Sequence, residues 1–257
     1  MSPRISLFLG GRTMKEQTRE DPKILAAAER QMQAWAMNEE IADRSVGRKF
    51  HQAHAGQDKC FLTISREAGA GGSEIAAIVG KRLGWKVLDK NLLDHVAERF
   101  HHDRSMLNMV DETRSNWVYD VLGTWMDSTV IPHETYVSQL SRVILAAARQ
   151  SNFIFVGRGA RFLLPREKVL AVRLVAPEGF RLKRIMQYHK LAEADARRHM
   201  HEVDKGRREF VQRFFHHDIT DPHLYDLVIN TEGLGIEGAA EEIAAAMCLA
   251  KPAAILK

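Results

Sequence analysis

The stretch FLTISREAGAGGSEIAAIVGKRLGWKVLD, from Phe61 to Asp89, determines how the rest of the chain is interpreted. It begins with FLTIS, a short apolar run of the kind that forms strands, and it ends with a second such run, WKVLD. Between the two, the apolar residues of segment 73–83 fall on one face of a helix. A strand, a helix and a second strand within 29 residues predict a parallel β-α-β unit.

A glycine-rich turn joins the first strand to the helix. Glycine adopts backbone conformations that other residues avoid, and it lets the chain approach an anion closely. The turn amides and the N-terminus of the helix would then face a phosphate, whereas the alternative is a tight turn without a ligand. Because the turn follows the first strand and opens an amphipathic helix, we favour a phosphate loop. The residues predicted to bind phosphate are Gly69, Ala70, Gly71, Gly72 and Ser73.

The loop departs from the P-loop pattern G-x-x-x-x-G-K-[ST] at two positions. Arg66 stands at the first glycine of the pattern, and Gly72 stands at its lysine. Ser73 is retained, and its hydroxyl is predicted to bind Mg²⁺. The loop has therefore gained a cation at its start and lost the usual one near its end.

The remaining pattern predicts an α/β fold of the P-loop type. Segment 91–150 is almost entirely helical in pattern, and segments 153–159 and 169–175 are continuous apolar runs typical of buried parallel strands. YDLVINT, at 225–231, supplies a last strand, and 236–250 a last helix. We therefore expect a five-stranded parallel sheet flanked by helices, with helical insertions after the second and fourth strands.

Two regions of the chain are distinguished by pattern. Residues 1 to about 20 lack periodicity and are expected to be disordered, and an amphipathic helix is predicted to begin at Asp21 and Pro22. We assign residues 1–56 to an N-terminal extension, whose helix would pack on the main domain, on a second copy or on a partner. Residues 57–257 form the predicted P-loop domain.

Composition and charge exclude some classes of protein. No apolar run approaches the ~20 residues of a membrane-spanning helix, so we expect a cytoplasmic protein without membrane association. Segment 178–217 contains ten Lys or Arg against six Asp or Glu. Such a segment either binds phosphates or nucleic acid, or forms a solvated helix face with ion pairs, and charge alone favours the solvated face.

Five motifs in order resemble the cytidylate kinase-like family. They are TISREAGAGGSEIA, LDK at 88–90, VGRGA at 156–160, DKGRREFVQRFF from Asp204 and DPHLYDLVINT from Asp221. The resemblance implies a P-loop kinase core with a monophosphate-binding insertion at about 90–150 and a basic lid at about 190–217. It implies ATP and Mg²⁺ as cofactors, small nucleotides as partners, and phosphoryl transfer to CMP or a similar monophosphate. Nucleic acid is not an expected partner.

The resemblance also implies residue roles. The loop would hold the phosphates of ATP, and Asp89 and Arg158 would bind the acceptor; for Asp89, a helix N-cap is an equally good interpretation. In typical cytidylate kinases an acid precedes the Gly-Arg pair, but here Val156 does. With the lysine missing, we expect a substitute cation from the loop or the lid, Arg208 being a further lid candidate. The predicted catalytic residues are Arg66, Ser73, Lys205 and Arg207. The alternative is a nucleotide-binding regulatory protein that has lost transfer.

Overall fold

The computed structural model describes residues 26, 30, 59–94 and 132–249. Its elements, in chain order, are β1 Phe61–Arg66, α1 Gly72–Leu83, β2 Lys86–Leu88, α2 Pro132–Gln150, β3 Phe153–Val156, α3 Ala160–Leu163, β4 Val169–Val175, α4 Glu178–His189, α5 Glu193–Phe215, β5 Leu227–Asn230 and α6 Thr231–Leu249. Residues 90–94 are also helical, as are residues 26 and 30. The rest of the predicted N-terminal extension, and residues 95–131 of the predicted insertion, lie outside the described residues.

The five strands form one parallel sheet in the order β2-β3-β1-β4-β5. The predicted five-stranded parallel sheet is thereby confirmed. β1 is central, and its first residue, Phe61, lies opposite Phe153 of β3 and Val169 of β4. Because all strands run in the same direction, their carboxyl ends meet at one edge, where an open sheet of this kind binds its ligands.

Helices cover both faces of the sheet, so the strands are apolar on both sides. On one face, Leu62 and Ile64 pack with residues of α1 and α6. On the other face, Phe61 packs with residues of α2 and α3. Ile75 and Val79, which the helical period places on the inner face of α1, are fully buried.

The predicted lid, about 190–217, contains α5, which forms a hairpin with α4 and packs against the phosphate loop. Ala68 of the loop is buried in a small apolar cluster with residues of α4 and α5, among them Ile185 and Met200. Lys190 and His216, each in the left-handed region, end the two helices with φ of 53° and 56°. The lid region is therefore joined to the loop by a shared core.

Candidate active site

The turn between β1 and α1 has the geometry of an anion cradle. Gly69 and Gly71 have φ of 80° and 78°, and a Cβ on Gly71 would lie 2.1 Å from Cδ1 of Ile236. Gly71 is the N-cap of α1, and no side chain caps the helix. The amides of the first turn are therefore left for a ligand, where the helix dipole favours a negative charge.

Gly72, at the lysine position of the motif, lies against the side chain of Arg66. A Cβ on Gly72 would be 2.7 Å from Cγ of Arg66 and 3.1 Å from its Cβ. The Arg66 side chain continues to the loop after β3, where a Cβ on Gly157 would lie 2.1 Å from its Nη1. The stem of Arg66 therefore occupies the space that a side chain at position 72 would need.

The guanidinium of Arg66 is held among other cations. Burial, together with the charges of Arg207 and Arg158, lowers its pKa to about 9, although the charge of Asp89 raises it. A pKa of about 9 leaves Arg66 protonated at neutral pH. The loop therefore carries a positive charge although its lysine is absent.

Arg158 follows β3 in an uncommon backbone conformation, with φ of 56° between Gly157 and Gly159. Its Nε donates to Oδ1 of Asp94 at 2.7 Å, and its Nη2 donates to Oδ2 of the same carboxylate. Asp94 is 5% exposed. Because Asp94 lies on the helix that begins at residue 90, where the predicted monophosphate-binding insertion starts, this ion pair joins that helix to the carboxyl edge of the sheet.

Arg207 of α5 reaches the same edge. Its Nη1 donates to the backbone oxygen of Arg66 at 2.9 Å. Burial lowers the pKa of Arg207; Asp204 raises it, and three further arginines lower it, namely Arg158, Arg173 and Arg181. The structure thus brings together three of the predicted site cations: Arg66, Arg158 and Arg207.

The other predicted lid cations are turned outward. Lys205 is 70% exposed, and its Nζ lies 3.7 Å from Glu209. Arg208 is also exposed. On the outer side of α5, Arg197 and Arg198 are ion-paired as well. The interpretation as an ion-paired solvated face therefore applies to these residues. Arg207 is directed at the loop instead, and phosphate binding by the basic segment stays a prediction.

Asp89 caps the helix that begins at residue 90. Its Oδ1 accepts from the amide of Leu92 at 2.9 Å, and its backbone oxygen accepts from the amide of Leu93. The N-cap interpretation of this residue is confirmed. The charge of Asp89 also raises the pKa of Arg66, and binding of an acceptor by Asp89 stays a prediction.

Comparison with known proteins bears on this arrangement. The model of the cytidylate kinase-like family matches residues 61–233, from the start of β1 into α6. The chain belongs to the cytidylate kinase-like family. Membership of this family supports a kinase-like, phosphotransferase function. No curated protein matches the chain.

Solved structures share the fold of this family member at low sequence identity. An uncharacterized protein from Eubacterium ventriosum is 19% identical with a TM-score of 0.57, covering 74% of this chain and 98% of its own. Shikimate kinase from Bacteroides thetaiotaomicron is 12% identical with a TM-score of 0.41, covering 73% and 98%. Dephospho-CoA kinase from Campylobacter jejuni is 13% identical with a TM-score of 0.35, covering 74% and 98%. The family match and the five-stranded parallel sheet confirm the predicted P-loop kinase fold.

The residues of this cytidylate kinase-like site fit Mg²⁺ only together with a nucleotide. The side chain of Ser73 is exposed at the start of α1, and Val156 is fully buried in the sheet. In the part of the chain that the structure describes, no three His, Cys, Asp or Glu side chains could together hold a metal. Mg²⁺ commonly takes one or two protein ligands plus phosphate oxygens and water, so Ser73 and the donor phosphates suit it.

Sequence reasoning missed Arg173 of β4. This arginine is 6% exposed; its Nη1 donates to Oγ of Ser65 at 3.1 Å, and its guanidinium lies 5.7 Å from the centre of the Tyr225 ring. Among the described residues it forms no ion pair. The signal was available, because a charged residue interrupts the apolar run VLAVRLV. A buried arginine there adds positive charge to the carboxyl edge of the sheet.

Within residues 59–94 and 132–249, none of the helices is both long enough and apolar enough to cross a membrane.

Proposed function

We propose that this protein transfers a phosphoryl group from ATP to a nucleoside monophosphate, with CMP as the favoured acceptor. The observation that carries the proposal is the position of Arg66. Its stem lies against Gly72, and its guanidinium reaches Gly157, beside the loop that carries Arg158. The guanidinium of Arg66, at the start of the loop, thus replaces the lysine that is missing at position 72.

In the proposed reaction, an oxygen of the acceptor phosphate attacks the γ-phosphorus of ATP, and the bond to the β,γ-bridging oxygen breaks. The products are ADP and a nucleoside diphosphate. The amides of residues 69–73 hold the donor phosphates, and Arg66 and Arg207 stabilise the charge that develops on the bridging oxygen and the transferred group. Mg²⁺, held through Ser73, supplies further neutralisation of phosphate charge when bound.

The acceptor phosphate is assigned to Arg158. Its position after a strand at the ligand-binding edge of the sheet supports this role. Asp94 orients the guanidinium through two hydrogen bonds. A pair of this kind fixes the plane of the arginine fork, which suits it to bind a phosphate.

Arg158→Ala is expected to raise the KM for the acceptor by about 30-fold, since a charged hydrogen bond contributes about 2 kcal/mol, and to leave the KM for ATP nearly unchanged. The same substitution removes the arginine partner from the buried carboxylate of Asp94, and the loss of one partner of a buried ion pair costs about 3–5 kcal/mol of stability. The double variant Arg158→Ala/Asp94→Asn separates the two effects. It should recover most of the stability and none of the acceptor affinity. An acceptor KM that is normal in the double variant would assign Arg158 a purely structural role.

The direct test of the function is a product assay. Purified protein is incubated with Mg·ATP and, separately, with CMP, dCMP, UMP, AMP and GMP, and nucleoside diphosphates are separated by anion-exchange chromatography. We expect CDP to form fastest. Diphosphate formed from a different monophosphate would correct the acceptor but keep the reaction.

A second candidate function is a nucleotide-binding regulatory protein. Val156 favours it, because this buried residue stands where typical cytidylate kinases carry an acid. One result distinguishes the two candidates. Binding of ATP, measured by calorimetry, without formation of a diphosphate from any acceptor would favour the regulatory protein. In either case we place the protein in the cytoplasm, with its N-terminal helix available to a partner or a second copy.

A further inference from the structure

One buried carboxylate joins the lid helix to the phosphate loop. Oδ1 of Asp204, on α5, accepts from the backbone amide of Ala68 at 2.7 Å. Its other oxygen, Oδ2, accepts from Nη1 of Arg181 at 2.6 Å. The side chain of Asp204 is 13% exposed. A carboxylate at this depth needs partners for its charge, and here one of those partners is the loop backbone itself.

Arg207 contacts the same loop from the next turn of α5. Its Nη1 lies 3.7 Å from Oδ1 of Asp204 and 2.9 Å from the backbone oxygen of Arg66, to which it donates. Asp204 and Arg207 are three residues apart and therefore lie on one side of the helix. Together they bind the loop at the amide of Ala68 and at the carbonyl of Arg66, which are two residues apart.

Arg181 completes the contact from α4. Its Nη1 donates to the backbone oxygen of Ala68 at 3.1 Å, and its Nε donates to that of Ala176 at 2.9 Å. Its Nε also lies 3.4 Å from a carboxylate oxygen of Glu67. Asp204 is thus placed between two arginines, whose charges would repel each other without it.

A second Asp-Arg pair on the same helix shows what is particular to this one. Asp195 and Arg198 have the same spacing and form an ion pair of 2.9 Å, but their side chains are 56% and 68% exposed. An exposed pair of this kind contributes little to stability. The Asp204 pair differs in its burial and in its hydrogen bond to the loop.

We propose that Asp204 is a positioning residue that fixes the start of the phosphate loop and the guanidinium of Arg207 for phosphoryl transfer. Its effect on the loop is independent of the reaction, whereas its effect on turnover rests on the proposed function. Without its charge, the hydrogen bond from the amide of Ala68 is weakened, and Arg207 is repelled by Arg181. The amides of residues 69–73 still bind ATP, so the loss falls on the transition state.

The test compares Asp204→Asn, Asp204→Ala and Asp204→Glu with Asp195→Asn, which serves as the matched control. Backbone hydrogen exchange of the loop is measured in the ligand-free proteins. We expect faster exchange at residues 66–69 in the Asn and Ala variants and no change in the control. Asp204→Asn nearly preserves the shape of the side chain, so it keeps the test valid if the Ala variant does not fold.

Turnover is measured on the same proteins. For Asp204→Asn we expect kcat to fall by about 10² with the KM for ATP changed by less than about threefold, since a small misplacement of a catalytic group has such an effect. Asp204→Glu retains the charge and should recover part of kcat. Loop exchange and kcat in Asp204→Asn that both match the control would overturn the proposal.

The outcomes separate this inference from the proposed function. If no protein in the set forms a diphosphate while loop exchange still rises in the Asn variant, the kinase proposal and the role of Asp204 in turnover fail, but its role in fixing the loop stands. If kcat is normal in the unmodified protein and in Asp204→Asn, and exchange is unchanged, the kinase proposal stands and the inference fails.

Discussion

Gly72→Lys is expected to lower kcat/KM for ATP by at least about 10², although it introduces the lysine that the P-loop pattern normally carries. The reason is steric. A Cβ at position 72 lies 2.7 Å from Cγ of Arg66, which is the stem of that side chain and not its flexible end. Arg66 must then leave its rotamer, and its guanidinium leaves Gly157 and the adjoining site.

The double variant Arg66→Gly/Gly72→Lys removes the clash and rebuilds the usual pattern. Glycine at 66 is needed because the Cβ of Arg66 is itself 3.1 Å from the added Cβ. We expect the double variant to recover turnover that both single variants have lost. Position 72 is helical, so Gly72→Ala introduces only the contact with Arg66 and serves as the steric control. A Gly72→Lys variant as active as the unmodified protein would show that Arg66 and position 72 do not exclude each other.

Arg66→Met lowers kcat by about 10²–10³, the usual effect of removing one group that stabilises transition-state charge. The same variant is expected to be more stable than the unmodified protein in the absence of nucleotide. Burial and the neighbouring Arg207 lower the pKa of Arg66 to about 9, so its charge is less favourable in the folded than in the unfolded state. Lost activity with gained stability is the expected signature of a functional charge.

The pH dependence of the stability follows from the same lowering of the pKa of Arg66. Below pH 9, Arg66 is charged in both the folded and the unfolded state, and the full destabilisation is present. As the pH rises above about 9 toward the ordinary pKa of an arginine, the folded state releases this proton first, and the destabilisation is lost. Arg66→Met should therefore show its gain in Tm at neutral pH. Arg82→Met is the control, because Arg82 forms an exposed ion pair with Glu241 and its loss should change Tm little. Unchanged kcat in Arg66→Met would leave Arg207 as the remaining predicted cation at the loop.

Local sequence patterns predicted most of the fold. The five strands follow from short apolar runs, because strands covered on both faces contain few polar residues. The inner face of α1 follows from its helical period, which places Ile75 and Val79 in the core. The phosphate loop follows from glycines at positions where φ is positive, such as Gly69 and Gly71.

Within the site, the sequence identified the residue types but not all of their partners. The motif showed that the lysine is missing at position 72 and that an arginine is gained at position 66. The sequence also showed Arg158 between two glycines. Lys205 and Arg207 were equivalent as lid cations, because both belong to one basic segment. Only the orientation of α5 about its axis distinguishes the two residues. It leaves Lys205 70% exposed and directs Arg207 to the loop.

The sequence by itself determined the parallel sheet, the phosphate loop and the family, because each depends on neighbouring residues and their spacing. The tertiary structure alone decided which charges meet. Asp204 and Ala68 are 136 residues apart, and Arg158 and Asp94 are 64 apart. Contacts between residues so far apart in the sequence depend on how the helices pack on the sheet, and the local sequence pattern does not determine them. The reason that position 72 is glycine is likewise a packing fact, since the stem of Arg66 already fills that space.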